Sequence, residues 1–313
     1  MKQKLASLFL CLALAAAAAP PVPVIFDTDM GNDIDDALAL AMLHGLESRG
    51  EIRLAAVTLT KDNPWAGRYV SAVNTFYGRE RIPIGLVKNG VTKDEGNYNR
   101  VAIDGGRHRW TEPKQEAVAL LKSVLAREAD HSVIVIQVGF STNLARLLAE
   151  PGGKELIAKK VKLLSLMAGD FTNKGPEYNV KEDIAACQKL AAEWPTPAVW
   201  SGFEVGRTIK FPARSIEQDF GWAPKNPVVD GYKAYMKFPY DRETWDLTAV
   251  LYALRPDRGY FDLSAPGNVV VDAKGFTRHV PASGGLHRYL IVNEVQRARI
   301  LESMIWLASE PAH

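Results

Sequence analysis

Apolar runs of four to eight residues, rich in Val, Ile and Leu, alternate with longer helix-like stretches along most of the chain. Such runs are typical of strands that are buried on both faces of a sheet. They predict strands at 22–27, 52–59, 82–87, 132–138, 161–167, 197–200 and 287–292. The other stretches predict helices at 35–46, 64–78, 113–129, 142–150, 181–192, 228–237, 244–254 and 294–308. Repeated strand and helix units indicate a parallel sheet.

Two segments depart from this alternation. Residues 88–110 are polar, rich in Gly and Asn and without periodicity, and a loop of that length inside a compact domain favours a functional role. Residues 267–280 predict a β-hairpin that turns at Lys274-Gly275. We find no internal repeat or linker, so we predict a single α/β domain over residues 20–313. It would be an open, mostly parallel sheet flanked by helices, with C-terminal additions.

The N-terminal residues 1–19 have the pattern of a signal peptide. A short basic start is followed by an apolar stretch, and Ala17 and Ala19 fit an A-x-A cleavage site before Pro20. The apolar run is shorter than the roughly 20 residues that a membrane-spanning helix needs, which argues against an uncleaved anchor. We therefore expect a periplasmic or secreted protein that is free of the membrane after cleavage.

The composition, with 47% hydrophobic and 24% charged residues, is that of a soluble globular protein. The 38 basic and 36 acidic residues include Lys2 and Lys4 of the leader, so the mature chain has 36 of each and no net charge. This balance, without a basic cluster, argues against a nucleic-acid or anionic-membrane partner. The quaternary state stays open, with a homo-oligomer among the alternatives. Cys187 is the one cysteine after the leader, which excludes an intramolecular disulfide, and its setting predicts a buried helical thiol.

Five aspartates crowd the junction between the first predicted strand and the first predicted helix, in the sequence FDTDMGNDIDDALAL: Asp27, Asp29, Asp33, Asp35 and Asp36. The carboxyl ends of parallel strands form the ligand crevice of an open sheet. Carboxylates packed there repel one another unless they are protonated or neutralised, and a hard divalent cation is the simplest neutraliser. Helix capping is the alternative, and it explains one or two of the later aspartates. It does not explain Asp27 and Asp29, so we favour a metal site.

The segment DTDMGNDIDDALAL resembles the N-terminal motif of the inosine-uridine-preferring nucleoside hydrolase family, in which Asp-x-Asp is followed by Gly and then by Asp-Asp-Ala. The family motif is two residues shorter between the Gly and the Asp pair, which leaves the role of Asp33 open. The resemblance implies a nucleoside hydrolase-like fold. It also implies an N-glycosyl hydrolase with a small-molecule substrate, a ribonucleoside or a related riboside.

Three further segments resemble the family in the same order: VGFSTNLARLL, LMAGDFTNKGPEYNVKEDIAAC and TWDLTAVLYALRP. The resemblance implies a calcium ion held by four groups: the carboxylates of Asp29, Asp36 and Asp246 and the carbonyl of Val138. It implies that Asp29 also takes the proton of the attacking water. Sugar hydroxyls would be bound by Asp35, Asn173, Glu177 and Asn179.

The end of the site that would hold the leaving base matches the family less well. Active members often have a His just before the last metal-binding Asp, and this chain has Trp245 there. Trp245 is either a platform against which the aglycone stacks or a wall that fills the pocket. His108, in the long loop, is the histidine best placed by sequence to donate a proton. The family's Gly-Asn after the second strand is replaced by Lys61, Asp62 and Asn63, of which Asp62 and Asn63 are candidates for a sugar contact.

Two other functions fit parts of the sequence. A phosphatase of the haloacid dehalogenase type also has Asp-x-Asp after its first strand, and its nucleophile here would be Asp27, with Ser141 or Thr142 as the later hydroxyl. The sequence lacks a clear match to that class's Lys and downstream acidic pair. A non-catalytic nucleoside- or sugar-binding protein that keeps the calcium is the second alternative, and Trp245 motivates it.

Overall fold

The computed structural model describes residues 20–172 and 174–311. The predicted signal peptide and Asn173 lie outside the described residues. The strands are β1 Val22–Thr28, β2 Ile52–Leu59, β3 Ile84–Leu86, β4 Gln115–Glu116, β5 Val133–Gln137, β6 Val161–Met167, β7 Ala198–Ser201, β8 Lys210–Phe211, β9 Arg242–Glu243, β10 Asp262–Leu263, β11 Gly267–Val271, β12 Thr277–Pro281 and β13 His287–Ile291.

The α-helices lie between and after these strands. They are α1 Asp35–Ser48, α2 Pro64–Phe76, α3 Asn99–Ile103, α4 Ala117–Arg127, α5 Thr142–Ala149, α6 Gly153–Lys160, α7 Tyr178–Glu182, α8 Ile184–Glu193, α9 Phe203–Gly206, α10 Ala213–Gln218, α11 Pro227–Tyr235, α12 Trp245–Leu254 and α13 Glu294–Ala308. Two short 3₁₀ turns occur at Asp104–Gly106 and Pro256–Arg258. In the described residues, no helix is long and apolar enough to span a membrane.

One large mixed sheet organises the molecule. In the described part of the chain it runs in the order β12, β11, β13, β7, β6, β5, β1, β2, β3, β4, with β10 paired to β13. The pairs from β13 to β4 are parallel, whereas β11 is antiparallel to β12 and β13. The fold class predicted from the sequence is confirmed, and the antiparallel strands are its C-terminal additions.

Two hydrophobic clusters cover the two faces of the sheet. One contains α1, α2, α12 and α13, and the other contains α4, α5, α6 and α8. Helix α1 is buried from Asp35 to Leu46, and Gly45 lets α13 pass so closely that a Cβ there would lie 2.1 Å from the Leu307 carbonyl oxygen. This packing fixes the helix whose first turn carries Asp35 and Asp36.

Most predicted elements are present, with ends that shift by a few residues. The predicted helix at 181–192 is two helices, α7 and α8, because Asp183 leaves the helical conformation and caps α8 through the Ala186 N–H. The predicted hairpin is β11 and β12, with Gly275 at φ +84° in its turn. The predicted burial of the Cys187 thiol is confirmed.

Candidate functional site

The strand order creates a crevice beside β1. The chain passes outward from β1 through β2 and β3 to β4 and then returns to place β5 on the other side of β1. The carboxyl ends of β1 and β5 therefore diverge into loops at a topological switch point, where open α/β sheets bind ligands. Asp29 follows β1 at this point and Val138 follows β5.

Gly139 allows these two strand ends to meet. A Cβ at this position would lie 2.5 Å from the Asp29 backbone nitrogen and 2.3 Å from the Thr60 hydroxyl. Any larger residue would separate the two backbones, because Cβ atoms do not approach other heavy atoms that closely. The Val138 carbonyl thus reaches the Asp29 side of the crevice.

A cavity of about 410 Å³ opens at this point, within the range of small-molecule sites. It is bordered by the ends of β1, β5 and β6, the first turns of α1, α7 and α12, and the predicted long loop. Its lining residues are Asp29, Gly31, Asn32, Asp33, Asp35, Asp36, Asp94, Gly96, Asn97, Val138, Met167, Glu177, Tyr178, Asn179, Phe203, Arg242, Trp245 and Asp246.

Buried carboxylates form the floor of the cavity. One oxygen each from Asp35, Asp36 and Asp246 lies within 4.8 Å of the others, a grouping that would hold a metal ion. Burial raises the pKa of Asp36 well above its ordinary value, and the nearby charges of Asp29 and Asp35 raise it further. Asp246 is affected in the same way by burial and then by Asp35 and Asp36. Carboxylates that resist ionisation together are stabilised when a cation neutralises them.

Local hydrogen bonds fix each acid of this floor. The Thr28 hydroxyl donates to Asp36, and the Asp246 backbone N–H donates to Asp35 Oδ2 at 3.0 Å. Asp29 is buried, and its Oδ2 accepts from the Asn32 amide at 2.5 Å. Burial raises the pKa of Asp29 to about 6. The close trio of oxygens includes Asp35, which the sequence assigned to the sugar, whereas Asp29 borders the same cavity next to Asp36.

Two of the predicted sugar contacts, Glu177 and Asn179, lie along the wall beside this floor. Glu177 caps α7 by accepting from the Asn179 N–H at 2.8 Å, and burial raises its pKa to about 7. The Asn179 amide group donates to the carbonyls of Val138 at 2.8 Å and Met167 at 3.1 Å. Among the described residues no donor contacts Asn179 Oδ1, which leaves this oxygen to accept from a ligand hydroxyl.

Aromatic side chains line the end of the cavity where a leaving base would lie. Trp245 stacks on Phe203 with ring centroids 5.4 Å apart, and its indole N–H donates to the Phe203 carbonyl at 2.9 Å. Arg242 lies over the Trp245 ring, 5.3 Å from its centroid. The indole N–H, the one polar hydrogen of the Trp245 side chain, therefore already has an acceptor within the protein.

Asp33 belongs to this end of the site through an ion pair. Its carboxylate accepts from Arg242 Nε at 2.8 Å and from a second guanidinium nitrogen. The pair joins the loop after β1 to strand β9 just before Trp245. The role that the sequence left open for Asp33 is thus to hold Arg242 against the aromatic wall.

The described histidines do not line the cavity. His108 instead contacts Asp230 on α11, with 2.7 Å between Nε2 and Oδ2. Position in the long loop was the argument for His108, and the loop does reach the cavity, but through Asp94, Gly96 and Asn97. His108 follows the 3₁₀ turn Asp104–Gly106, whose residues do not line the cavity. Asp62 accepts from the Gly90 N–H at 2.9 Å, and Asn63 caps α2, so both serve local structure.

Residues 24–302 match the family model of the inosine-uridine preferring nucleoside hydrolases. The chain belongs to this family. It is also similar to the pyrimidine-specific ribonucleoside hydrolase RihA of Klebsiella pneumoniae, with 27% identity over 210 residues. That match covers 63% of this chain and 65% of RihA, which is less than two thirds of the relative.

Solved structures of nucleoside hydrolases have the same fold. A plant nucleoside hydrolase, PpNRh1, matches with a TM-score of 0.74 and 20% identity over 93% of this chain and 100% of that one. A purine-preferring ribonucleoside hydrolase from Gardnerella vaginalis matches with a TM-score of 0.73 and 18% identity over 92% of this chain and 98% of its own. These likenesses extend across the sheet and the helices that position the cavity.

Membership of the nucleoside hydrolase family argues against the phosphatase alternative, and so does the geometry. Asp27, the nucleophile of that alternative, is fully buried, does not line the cavity and accepts hydrogen bonds from Thr58 and Asn143. Burial raises its pKa to about 7. A carboxyl group in this setting cannot reach a phosphate ester, and it instead ties β1 to its neighbours.

Sequence reasoning missed several polar residues of the cavity and its surroundings. Asn32 and Arg242 line it, and Lys61 lies directly beneath, with no exposed side-chain surface. The signal for Asn32 was present, because it lies in the two-residue excess over the family motif. Arg242 lies in a weakly patterned part of the chain, and only the fold brings it to Asp33.

Proposed function

We propose that this protein is a calcium-dependent hydrolase of N-glycosidic bonds in ribonucleosides or related ribosides. The observation that supports this most directly is the convergence, in one cavity, of buried carboxylates with Glu177 and Asn179. The carboxylates provide oxygen ligands, and the other two side chains provide acceptors for sugar hydroxyls. Membership of the nucleoside hydrolase family gives this arrangement its reaction class.

The residues present fit a hard divalent cation. Asp29, Asp36, Asp246 and the Val138 carbonyl supply oxygen atoms only, as calcium prefers, and Asp35 lies among them. A calcium ion, when bound, would lower the pKa of water and hold ribose hydroxyls. The burial that raises the pKa values of these acids makes a cation at this position strongly stabilising.

The side chains themselves orient the reactants. Hydrolysis of an N-glycosidic bond passes through an oxocarbenium-like state, so water must approach one face of the sugar while the base leaves from the other. Asp29 would accept the proton of that water. Asp35, Asn173, Glu177 and Asn179 would hold the ribose hydroxyls, which converts binding energy into orientation.

A riboside panel tests the proposal. Purified protein is incubated with purine and pyrimidine ribonucleosides and with nitrophenyl riboside, and free ribose is measured with calcium and with a chelator. We expect ribose release that the chelator abolishes and that calcium restores better than magnesium or manganese. Absence of release from every riboside, with calcium bound, would contradict the hydrolase.

The metal assignment has a test of its own. Replacing Asp246 by Ala removes a cluster carboxylate in the first turn of α12, and we expect this variant to lose calcium and with it activity. Elemental analysis and calorimetric titration measure the loss. Lys160→Met, far from the cavity, is the control. Full calcium occupancy in Asp246→Ala would exclude Asp246 as a ligand.

A non-catalytic binding protein is the second candidate. It is favoured by the indole N–H of Trp245, which already donates to the Phe203 carbonyl. A site that binds the sugar but supplies no proton to the base would bind ribonucleosides without cleaving them. Calorimetry with inosine and uridine in the presence of calcium distinguishes the two functions. Tight binding without ribose release supports the binding protein.

We also propose that the protein is exported, on the pattern of residues 1–19. Expression of the full chain in a Gram-negative host, followed by cell fractionation and N-terminal sequencing, tests this. The expected mature N-terminus is Pro20. An intact Met1 terminus in the cytoplasmic fraction would contradict export.

A further inference from the structure

Lys61 is a buried cation directly behind the proposed base. It follows β2, its side chain has no exposed surface, and its ammonium donates to Asn32 Oδ1 at 2.5 Å. The nearest paired carboxylate oxygen, from Asp94, is 3.5 Å away on a side chain that is 76% exposed. An exposed partner compensates little for the loss of hydration of a buried charge. The buried carboxylate that balances Lys61 is therefore to be sought within the cavity.

Asn32 connects Lys61 to that carboxylate. Its amide nitrogen donates to Asp29 Oδ2 at 2.5 Å, while its amide oxygen accepts from Lys61. This orientation of the amide is determined by its partners, because an ammonium can only donate and a carboxylate can only accept. Both ends of the Asn32 side chain are thus occupied, and Asp29 is tied to a fixed charge through a single residue.

Both residues lie where this sequence departs from the family pattern that it resembles. Asn32 lies in the two-residue excess between Gly31 and Asp35, and Lys61 begins the segment Lys61, Asp62 and Asn63 that replaces the Gly-Asn after the second strand. The two departures from the family, separated by 29 positions in the chain, contact each other in the structure. One departure supplies the charge and the other supplies the bridge to Asp29.

We propose that Lys61, acting through Asn32, is a positioning residue that fixes the Asp29 carboxylate for its role with water and metal. The inference rests on the proposed function, because it assumes that Asp29 is the base. Asp29 lines the cavity, and the Asn32 amide holds its carboxylate at Oδ2. A side chain fixed in this way does not need to reorganise during the reaction.

Replacing Lys61 by Met separates positioning from a merely structural role. The variant removes the charge with little change of volume. We expect kcat to fall by about 10- to 100-fold, the usual cost of losing an outer-shell partner of a metal ligand. Calcium should bind at least as tightly as in the wild type, because a positive charge near a dication has been removed. Loss of structure would instead weaken calcium binding and lower kcat together.

A double-mutant cycle tests whether Lys61 acts through Asn32. The variants are Lys61→Met, Asn32→Ala and the double variant, compared by kcat, by calcium titration and by thermal melting. If the two residues form one connection, the double variant loses no more kcat than the more impaired of the two single variants. Lys160→Met is the matched control. The Lys160 ammonium lies 2.8 Å from Asp130 Oδ1, and neither residue lines the cavity, so this variant should keep the wild-type kcat and calcium affinity.

Specific outcomes overturn the inference. They are kcat losses that multiply in the double variant, or calcium binding that weakens in Lys61→Met. If Lys61→Met does not fold, Asn32→Ala decides the matter, and wild-type kcat in that variant overturns the inference. If the wild type binds calcium but releases no ribose, the proposed function fails. The calcium titration of Lys61→Met then tests separately whether calcium binds at least as tightly once the Lys61 charge is removed.

Discussion

At the scale of single residues, the five aspartates between β1 and α1 and at their ends have different roles because their neighbours differ. Asp27 is fully buried and accepts from Thr58 and Asn143 through Oδ1. Asp33 pairs with Arg242, and Asp29 borders the cavity with a pKa raised to about 6. Five similar side chains within ten positions of sequence are thus divided between framework, ion pair and candidate chemistry. The division follows from position: Asp27 lies in β1, Asp29 and Asp33 lie in the loop after it, and Asp35 and Asp36 lie in the first turn of α1.

Replacing Asp29 by Asn should lower turnover far more than replacing Asn179 by Ala. Asp29 would handle both the metal and a proton, and loss of a general base typically costs about 10² to 10⁴ in rate. Asn179 would position a hydroxyl, and it also donates to two carbonyls, so its loss should raise KM and reduce kcat modestly. Steady-state kinetics at saturating calcium measure both. Equal losses of kcat would contradict this division of roles.

Because the indole N–H of Trp245 already donates to the Phe203 carbonyl, the enzyme should prefer substrates whose leaving groups need no protonation. Nitrophenol departs as an anion, whereas hypoxanthine from inosine needs a proton or a hydrogen bond. Without a general acid, inosine cleavage lacks a rate enhancement of about 10² to 10⁴, so nitrophenyl riboside should have a much higher kcat/KM. A ratio near one would mean that another group donates. Tyr178, which lines the cavity, would then be tested as Tyr178→Phe.

At the scale of elements, the site depends on how closely a few backbones approach. The turn after β5 touches the end of β1 at Gly139, and α7 begins at Glu177, which both caps the helix and faces the cavity. Helix α12 begins beside the first turn of α1, where the Asp246 N–H contacts Asp35. Each candidate ligand therefore lies at the start or end of an element, where a packed scaffold fixes it.

Replacing Gly139 by Ala should damage both stability and metal binding. The new Cβ would lie 2.5 Å from a backbone nitrogen that belongs to Asp29, so the β5 turn must move. Overpacking of this kind costs about 1–3 kcal/mol, and it would carry the Val138 carbonyl away from the acids. Chemical denaturation and calcium titration measure the two effects.

Gly175→Ala provides the steric control for this change. Nothing lies within 4 Å of the position that its Cβ would occupy. We expect wild-type stability and calcium affinity in this variant. A Gly139→Ala protein that matches the control in both measurements would show that the close approach is unimportant.

At the scale of the whole molecule, buried acids make stability depend on pH and on metal. Burial raises the pKa of Asp27 and Glu177 to about 7 and that of Asp29 to about 6, all above their ordinary values. Between about pH 4 and these folded-state pKa values, the folded, metal-free protein therefore binds more protons than the unfolded chain. His44 and His287 act in the opposite direction, because burial lowers their pKa values, but the raised acids outnumber them.

Metal-free protein should therefore be more stable near pH 5.5 than near pH 7.5. Stability carried by a raised carboxyl group is present at low pH and is lost as pH rises through its folded-state pKa. Calcium should raise the melting temperature more at pH 7.5 than at pH 5.5, since it replaces the protons. Melting curves in chelator and in calcium at both pH values provide the measurement. A metal-free protein that melts lower at pH 5.5 would contradict the assignment of raised pKa values.

The sequence by itself determined the order of the longer strands and helices apart from α6, the parallel sheet and the acidic loop after β1. Periodicity is a local property, and strand ends are places where an apolar run gives way to polar residues. Asp29 and Val138 lie at such strand ends, whereas Glu177 and Asp246 lie at the starts of helices α7 and α12. Asp29 and Val138 converge because the carboxyl ends of parallel strands share one edge of a sheet.

Only the tertiary structure decided which polar side chains meet. Lys61 contacts Asn32 across 29 positions and Arg242 contacts Asp33 across 209, and no local pattern encodes contacts of that range. The same holds for His108, whose position in the loop suggested the cavity but whose partner is Asp230. Burial and pairing of charge depend on what the rest of the fold places nearby. The electrostatics of the site therefore follow from packing, whereas its location follows from the sequence.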